Sequence, residues 1–430
     1  MAVGLVIGGG APNLPLMSGA LLALDEAGIE FDVISTTGAG MLIGLMYAAP
    51  KHGTREETLK ATREMGVHDA IYKVFPVNFK IFHKSGPMAE AYTKFHQPWL
   101  AQMPRENEAQ RLMSDMTQFW MATFCPTDHS PKKTGLCQPP PWIDMVVDFD
   151  KLKDFDGDFL MSAYCIEDKE EVAFTKDEIT ADHFKAALAM PLIYEPYKMN
   201  GKTYLEGSAF DTLAFDPGNV MSRNLIDTVI YFDVLGERKL IQEPTSVYDA
   251  WVHSIINPLT RIAEMDSANY ERTEAEVNAK IKNKDQHVKV LRMPFADHIP
   301  EEQWPKVLDW SYSNMLTLFD IGYETGKKFV EDNAAKLAKS QEWHMRPREI
   351  VAFLEEHGLY ETFMTTLNSV EALEEDWVLK IDWNKEFKDF KNLTEEVKTK
   401  LLAAFISAQK VYDRPDQASA KWAKSPSPER

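Results

Sequence analysis

The chain has 430 residues, a formal net charge of −19, 44% hydrophobic and 26% charged residues, and three cysteines. So acidic a surface argues against a nucleic-acid groove or docking on anionic lipid, both of which call for a basic face. Three cysteines make no disulfide framework and point to a reducing, cytoplasmic setting. No apolar run reaches the ~18 residues of a membrane span. No basic region precedes the first apolar segment, so no secretory leader and no transmembrane segment are expected.

In chain order, residues 3–7 read as a buried strand, followed at once by Gly8-Gly9-Gly10-Ala11-Pro12-Asn13. Residues 14–27 then read as a helix, with Met17, Leu21, Leu22 and Leu24 on one face and Gly28 as its stop. A glycine turn between strand and helix leaves outward-pointing backbone N–H groups for an anion or oxyanion. A dinucleotide-binding G-x-G-x-x-G would need glycine where Asn13 stands, and an acidic end to the second strand. That strand ends in Ser35-Thr36-Thr37 instead.

The stretch Phe31–Gly44 is the centre of the chain: an apolar run, a break at Thr36-Thr37-Gly38-Ala39-Gly40, and an apolar helix to Ala49. This is the strand–turn–helix context of a nucleophile elbow G-x-S-x-G, with Thr36 at the first glycine position, Gly38 at the serine and Gly40 at the last glycine. Glycine adopts the strained elbow backbone without penalty, so a well-formed turn with an empty space beside it is expected.

Thr54 caps a polar helix to Met65, stopped by Gly66. Residues 67–141 are aromatic, Met-, His- and Pro-rich with weak periodicity, and read as an insert or lid walling one side of a pocket. The aromatics expected there are Trp99, Phe119, Trp120, Phe124 and neighbouring Trp142. Within the insert, Cys125, His129 and Cys137 are spaced irregularly and lack a fourth partner, so ordinary thiols rather than a metal site are expected.

From Trp142 the α/β rhythm returns, with strands at 159–166 and 171–175 joined by a polar hairpin. A helix follows from a Thr180 cap to Ala189, then a turn at 198–201 and a short strand at 203–205 that ends in Glu206-Gly207-Ser208. Further strands are predicted over 227–235 and 287–293, and helices over about 246–281 and 305–339. From Pro347 onward come amphipathic helices, with Asn392 and Glu395 as a cap and a loose tail beyond Pro415.

Three pieces line up: a glycine loop after the first strand, an elbow turn after the second, and an acidic residue before Gly-Ser after a later one. This resembles the patatin-like phospholipase family, whose marks are G-G-G-x-R-G, G-x-S-x-G and D-G-[GA]. Residues 142–215, including "VDFDKL" and "YEPYKMNGKTYLEG", look like bacterial patatin-like proteins over their length. The resemblance, which covers roughly residues 3–300, implies a three-layer α/β/α sheet core over residues 1–300, with 67–141 as insert. The rest, 301–430, is read from its own amphipathic pattern as a helical C-terminal extension packing on the core. The resemblance also implies a serine nucleophile at Gly38, an aspartate base at Glu206 and an oxyanion loop at Gly8-Gly9-Gly10.

All three marks are altered here. Pro12 stands where the loop has arginine, removing one N–H as well as the guanidinium, and Asn13 replaces a glycine whose left-handed backbone asparagine can adopt. Gly38 offers no nucleophile. Glu206 keeps the charge on a longer arm.

The candidate catalytic positions are therefore Gly38, Glu206 and Thr37. The candidate oxyanion or ligand-binding positions are Gly8, Gly9, Gly10, Asn13, Ala39 and Gly40. No cofactor or metal is expected. The first functional expectation is a patatin-fold protein without serine hydrolysis that binds an acyl or lipid-like ligand or a protein partner, and does not bind nucleic acid. The alternative is altered chemistry, with Glu206 activating water against an activated ester, thioester or lactone. A nucleophile at Thr37 or Ser35 would need a rearranged elbow. On either main reading the chain should resist fluorophosphonate labelling, because Gly38 has no atom to bond phosphorus.

Overall fold

The computed structural model describes residues 2–128, 130, 132–215, 226–280, 287–337, 353–354 and 356–363. The expected cap at Asn392 and Glu395, the tail beyond Pro415 and His129 lie outside the described residues. The strands in chain order are β1 (Val3–Ile7), β2 (Val33–Thr36), β3 (His83–Lys84), β4 (Gly135–Gln138), β5 (Asp158–Cys165), β6 (Glu170–Thr175), β7 (Leu192–Tyr194), β8 (Tyr197–Met199), β9 (Lys202–Glu206), β10 (Thr228–Phe232) and β11 (Lys289–Arg292). Eight of them form one mixed sheet in the order β11-β10-β1-β2-β5-β9-β8, with β6 on β5, and β3, β4 and β7 form a small second sheet. Helices flank the large sheet, giving the α/β arrangement expected from the sequence.

Strands β1, β2, β5, β10 and β11 run parallel. Of these, β1, β2 and β10 are buried along their whole length and β5 nearly so, as parallel strands covered on both faces are, while β11 at the edge of the sheet is largely half-buried or exposed. Along β1 the side chains alternate: Val3, Leu5 and Ile7 enter the larger core, while Val6 enters a smaller one with Val33, Leu160 and Tyr231. Helices α1 (Leu14–Glu26) and α2 (Gly40–Ala48) follow the two glycine turns, and nearly all of their residues are buried.

The reason α1 is apolar on every side is the helix Tyr312–Asp332, which packs against it at backbone distance. A Cβ on Gly322 would lie 1.9 Å from the Leu16 carbonyl oxygen, and one on Gly19 would lie 2.2 Å from that of Phe319. Only glycine permits this approach. The long helix Val247–Lys280 bears on the cleft with its first half, while Tyr270 farther along stacks on Phe215 over the smaller core.

The pairing of β5 brings Glu206 to its place. Strand β6 takes one edge of β5 from Leu160 to Cys165. On the other edge β2 pairs through Thr36↔Met161, and β9 pairs antiparallel through Glu206↔Ala163. Strand β9 therefore runs head-on toward the C-terminal end of β2 and ends beside the elbow.

The 67–141 segment is more helical than its weak periodicity suggested. It contains the helices Pro87–Leu100 and Glu108–Phe124, whose apolar side chains are divided between core and surface. No helix among the described residues is long and apolar enough to cross a membrane.

Candidate active site

Both glycine turns stand at the C-terminal edge of the parallel strands, where open α/β sheets place their ligands. Gly8 N–H donates to the Phe232 carbonyl at 3.1 Å, and Thr37 N–H to that of Ile7 at 3.2 Å, so each turn is tied to its neighbouring strand. The turns touch: a Cβ on Gly40 would lie 2.4 Å from Gly8 O and 2.5 Å from Ile7 O. Gly40 thus lets α2 start directly against the first loop. The N–H groups of Gly9, Gly10, Gly38 and Ala39 donate to no other backbone group among the described residues.

Gly10 has φ +118° and Gly38 has φ +53°, both in the region that favours glycine. Asn13 is different. Its φ of −88° is right-handed, so the left-handed conformation expected for it is not used, and the loop takes its positive φ at Gly10 instead. The Asn13 amide is buried with neither its nitrogen nor its oxygen hydrogen-bonded, and Nδ2 lies 3.2 Å from where a Gly10 Cβ would stand.

The space beside Gly38 is not empty. A Cβ there would meet Ser208 Oγ at 2.7 Å, Glu206 Oε1 at 2.8 Å and Ser208 Cβ at 2.9 Å. The longer arm of Glu206 and the side chain of Ser208 together fill the volume that a residue-38 side chain would need. Ser208 Oγ donates to Glu206 Oε1. Gly207 makes the turn between them possible, since a Cβ there would lie 2.9 Å from the Ser162 backbone.

The other hydroxyls of the elbow are committed elsewhere. Ser35 Oγ donates to Ala214 O at 2.5 Å, Thr36 Oγ1 to Leu160 O at 2.8 Å and Thr37 Oγ1 to Asp211 O at 3.3 Å. The geometry therefore pairs neither Thr37 nor Ser35 with Glu206. Sequence reasoning passed over Ser208, although a signal was present: serine stands at the last position of the D-G-[GA] mark.

Gly10, Gly38, Ala39, Glu206 and Ser208 line a cleft of about 1140 Å³, mouth included, together with Met41, Leu42, Phe184, Leu188, Met190, Leu235, Ile255 and Leu259 among others. Among the described residues, Glu206 is the only charged one that lines it. Burial pushes its carboxyl up to about 7, opposed by the hydrogen bond from Ser208. Burial also holds the nearby Tyr194 phenol well above its ordinary range.

From the insert and its border, Ile81, Phe82, Pro140 and Trp142 line the cleft, and Trp142 Nε1 donates to Lys80 O at 3.1 Å. The other aromatics expected at the pocket are not in its lining. Trp99, Trp120 and Phe124 are 51%, 49% and 72% exposed, and Phe119 packs edge-on against Phe75 and Phe79. No cluster of His, Cys, Asp and Glu among the described residues has the arrangement of a metal site.

Residues 5–218 match the family model described as Patatin-like phospholipase, and through this domain the chain belongs to the patatin-like phospholipase family. Among solved structures the chain is similar to VipD from Legionella pneumophila, at 14% identity and a TM-score of 0.30 over 97% of this chain and 89% of that one. No curated protein matches.

Proposed function

We propose that the chain binds an acyl chain in the cleft, with the carbonyl or carboxyl head between the Gly8–Gly10 loop and the Glu206–Ser208 pair. The observation that supports this is a concave apolar cleft lined, among the described residues, by a single carboxylate beside two glycine turns with spare N–H donors. Convergent polar groups at one end of an apolar cavity suit a small amphipathic ligand better than a protein partner. Gly38 is not a nucleophile on this reading, and catalysis by a serine at the elbow is absent. The three free thiols fit a reducing, cytoplasmic setting.

The alternative, in which Glu206 activates water in place of the missing residue-38 hydroxyl, has less support. That water would have to share its space with Ser208 Oγ.

Titration with a fluorescent long-chain fatty acid tests the binding. Saturable binding by the purified chain, weakened by about tenfold or more in Leu188→Arg, is expected, because a charge in the cleft must be desolvated when the chain enters. Equal affinity in the variant would place the ligand elsewhere, and the absence of saturable binding would end the reading.

A further inference from the structure

We propose that Ser208 is the nucleophile of this site, presented from the loop facing the elbow, with Glu206 as its base and an acyl ester or thioester as its substrate. The inference rests on the acyl-cleft reading above.

Ser208 is buried from bulk solvent, yet it lines the cleft beside Gly38 and Glu206. Its Oγ donates to Glu206 Oε1, the nucleophile–base contact that acyl transfer requires. That oxygen stands 2.7 Å from the Cβ position of residue 38, so it lies beside the place where an elbow side chain would begin. A Cβ on Gly9 would lie 3.6 Å from it, which puts the first glycine loop, whose Gly9 and Gly10 N–H groups donate to no other backbone group among the described residues, alongside. The hydroxyls of Ser35, Thr36 and Thr37 all donate to backbone carbonyls, and Ser208 is the one paired with the cleft carboxylate. With Ser208 and Glu206 where they stand, a side chain at residue 38 would collide with the Ser208 hydroxyl. Glycine at 38 therefore leaves room for that hydroxyl, and is not only the loss of a nucleophile.

In the first step Ser208 Oγ attacks the acyl carbonyl carbon as its proton passes to the Glu206 carboxylate. The carbonyl oxygen takes up the electron pair as an oxyanion beside Gly9 and Gly10. Collapse breaks the bond to the alcohol or thiol group, which leaves with the proton from Glu206, and the acyl group remains on Ser208. Water then attacks the acyl carbon and gives its proton to Glu206. Collapse releases the carboxylic acid and returns that proton to Ser208 Oγ.

A purely structural role is also open to Ser208, namely satisfying one oxygen of a buried carboxylate. A fluorophosphonate bearing a long alkyl chain separates the two, with intact mass and peptide mapping on the unmodified protein and fatty-acid binding measured on the same sample. The expected result is one adduct per chain, on Ser208, lost in Glu206→Gln while the far-ultraviolet circular dichroism of that variant is unchanged. An adduct on any other residue, or none while the fatty acid binds, overturns Ser208 as nucleophile and leaves the acyl cleft standing. Labelling undiminished in Glu206→Gln overturns the assigned base. Failure to bind the fatty acid at all overturns both readings. Because the mapping uses the unmodified chain, the assignment of Ser208 is tested even if the variant does not fold.

Discussion

Residue 38 combines a backbone φ of +53° with contacts under 3 Å to Ser208 and Glu206 from any Cβ placed on it. Gly38→Ser therefore adds a side chain to a left-handed backbone, at roughly 1–2 kcal/mol, and overpacks a buried site, at roughly 1–3 kcal/mol. The variant should unfold at lower temperature than the unmodified protein, and it should not gain esterase activity. Combining it with Glu206→Asp and Ser208→Gly shortens one neighbour and removes the other. The triple variant should recover part of the lost stability, because contacting residues couple. Melting temperatures that fell additively across the three changes would contradict the packing described for this site.

At the scale of elements, the contact between α1 and the helix Tyr312–Asp332 is the most demanding. Gly322→Ala would put its Cβ 1.9 Å from the Leu16 carbonyl, and neither helix backbone can yield without disturbing the sheet beneath. A loss of about 3 kcal/mol is expected by urea denaturation, at the upper end of overpacking costs. Gly28→Ala is the control. That glycine also has a positive φ, +71°, but nothing lies within 4 Å of its Cβ position. It should cost about 1 kcal/mol from backbone conformation alone. If the two variants lost equal stability, the backbone contact between the helices would not be close. A second element-scale feature is β9, whose antiparallel pairing on β5 delivers Glu206 and Ser208 together. A residue inserted into this strand would slip the register and turn Glu206 to the other face.

Across the whole molecule, several carboxyls are held above their ordinary range. Burial raises Glu206 to about 7. Burial, with the Asp211 and Asp266 charges, raises Glu171 to about 7. Burial and the Asp211 charge raise Asp266 to about 7, and Asp211 is raised by burial. Each such group binds its proton more tightly folded than unfolded. For Glu206, Glu171 and Asp266 the contribution to stability is therefore complete below the unfolded value near 4 and is lost as pH rises through about 7. Self-repulsion at a net charge of −19 acts in the same direction. The urea midpoint should fall when the pH is raised from about 6.5 to about 8, a window above the lowered carboxyls such as Asp182 and Glu264, above the ordinary value of the lowered His83 and His183, and not above the lowered value of Lys80. In Glu206→Gln the fall should be smaller, because a neutral amide can still accept from Ser208 and never has to ionise in the cleft. A midpoint that rose across this window would show that these groups are solvated in the folded state.

The sequence by itself determined the parts of this protein that depend on neighbours along the chain. The buried strand Val3–Ile7 and the strand that ends at Thr36 were legible from their apolar runs. The turns at Gly8–Gly10 and Thr37–Gly40 were legible because only glycine suits such backbones. The family followed from the same local marks. Tertiary structure decided what lies across the cleft. That β9 meets the end of β2 depends on which edge of β5 each strand occupies, and no local pattern encodes that choice. The positive φ of the first loop fell on Gly10 rather than Asn13 because the chain turns before, not within, the short helical turn Ala11–Asn13. Of the named aromatics, Trp142 reached the cleft while Trp99, Trp120 and Phe124 faced outward, because an amphipathic helix records how apolar a face is and not what it will cover. The space beside Gly38 was filled by residues 168 and 170 positions farther along the chain, and only the folded sheet brings their side chains there.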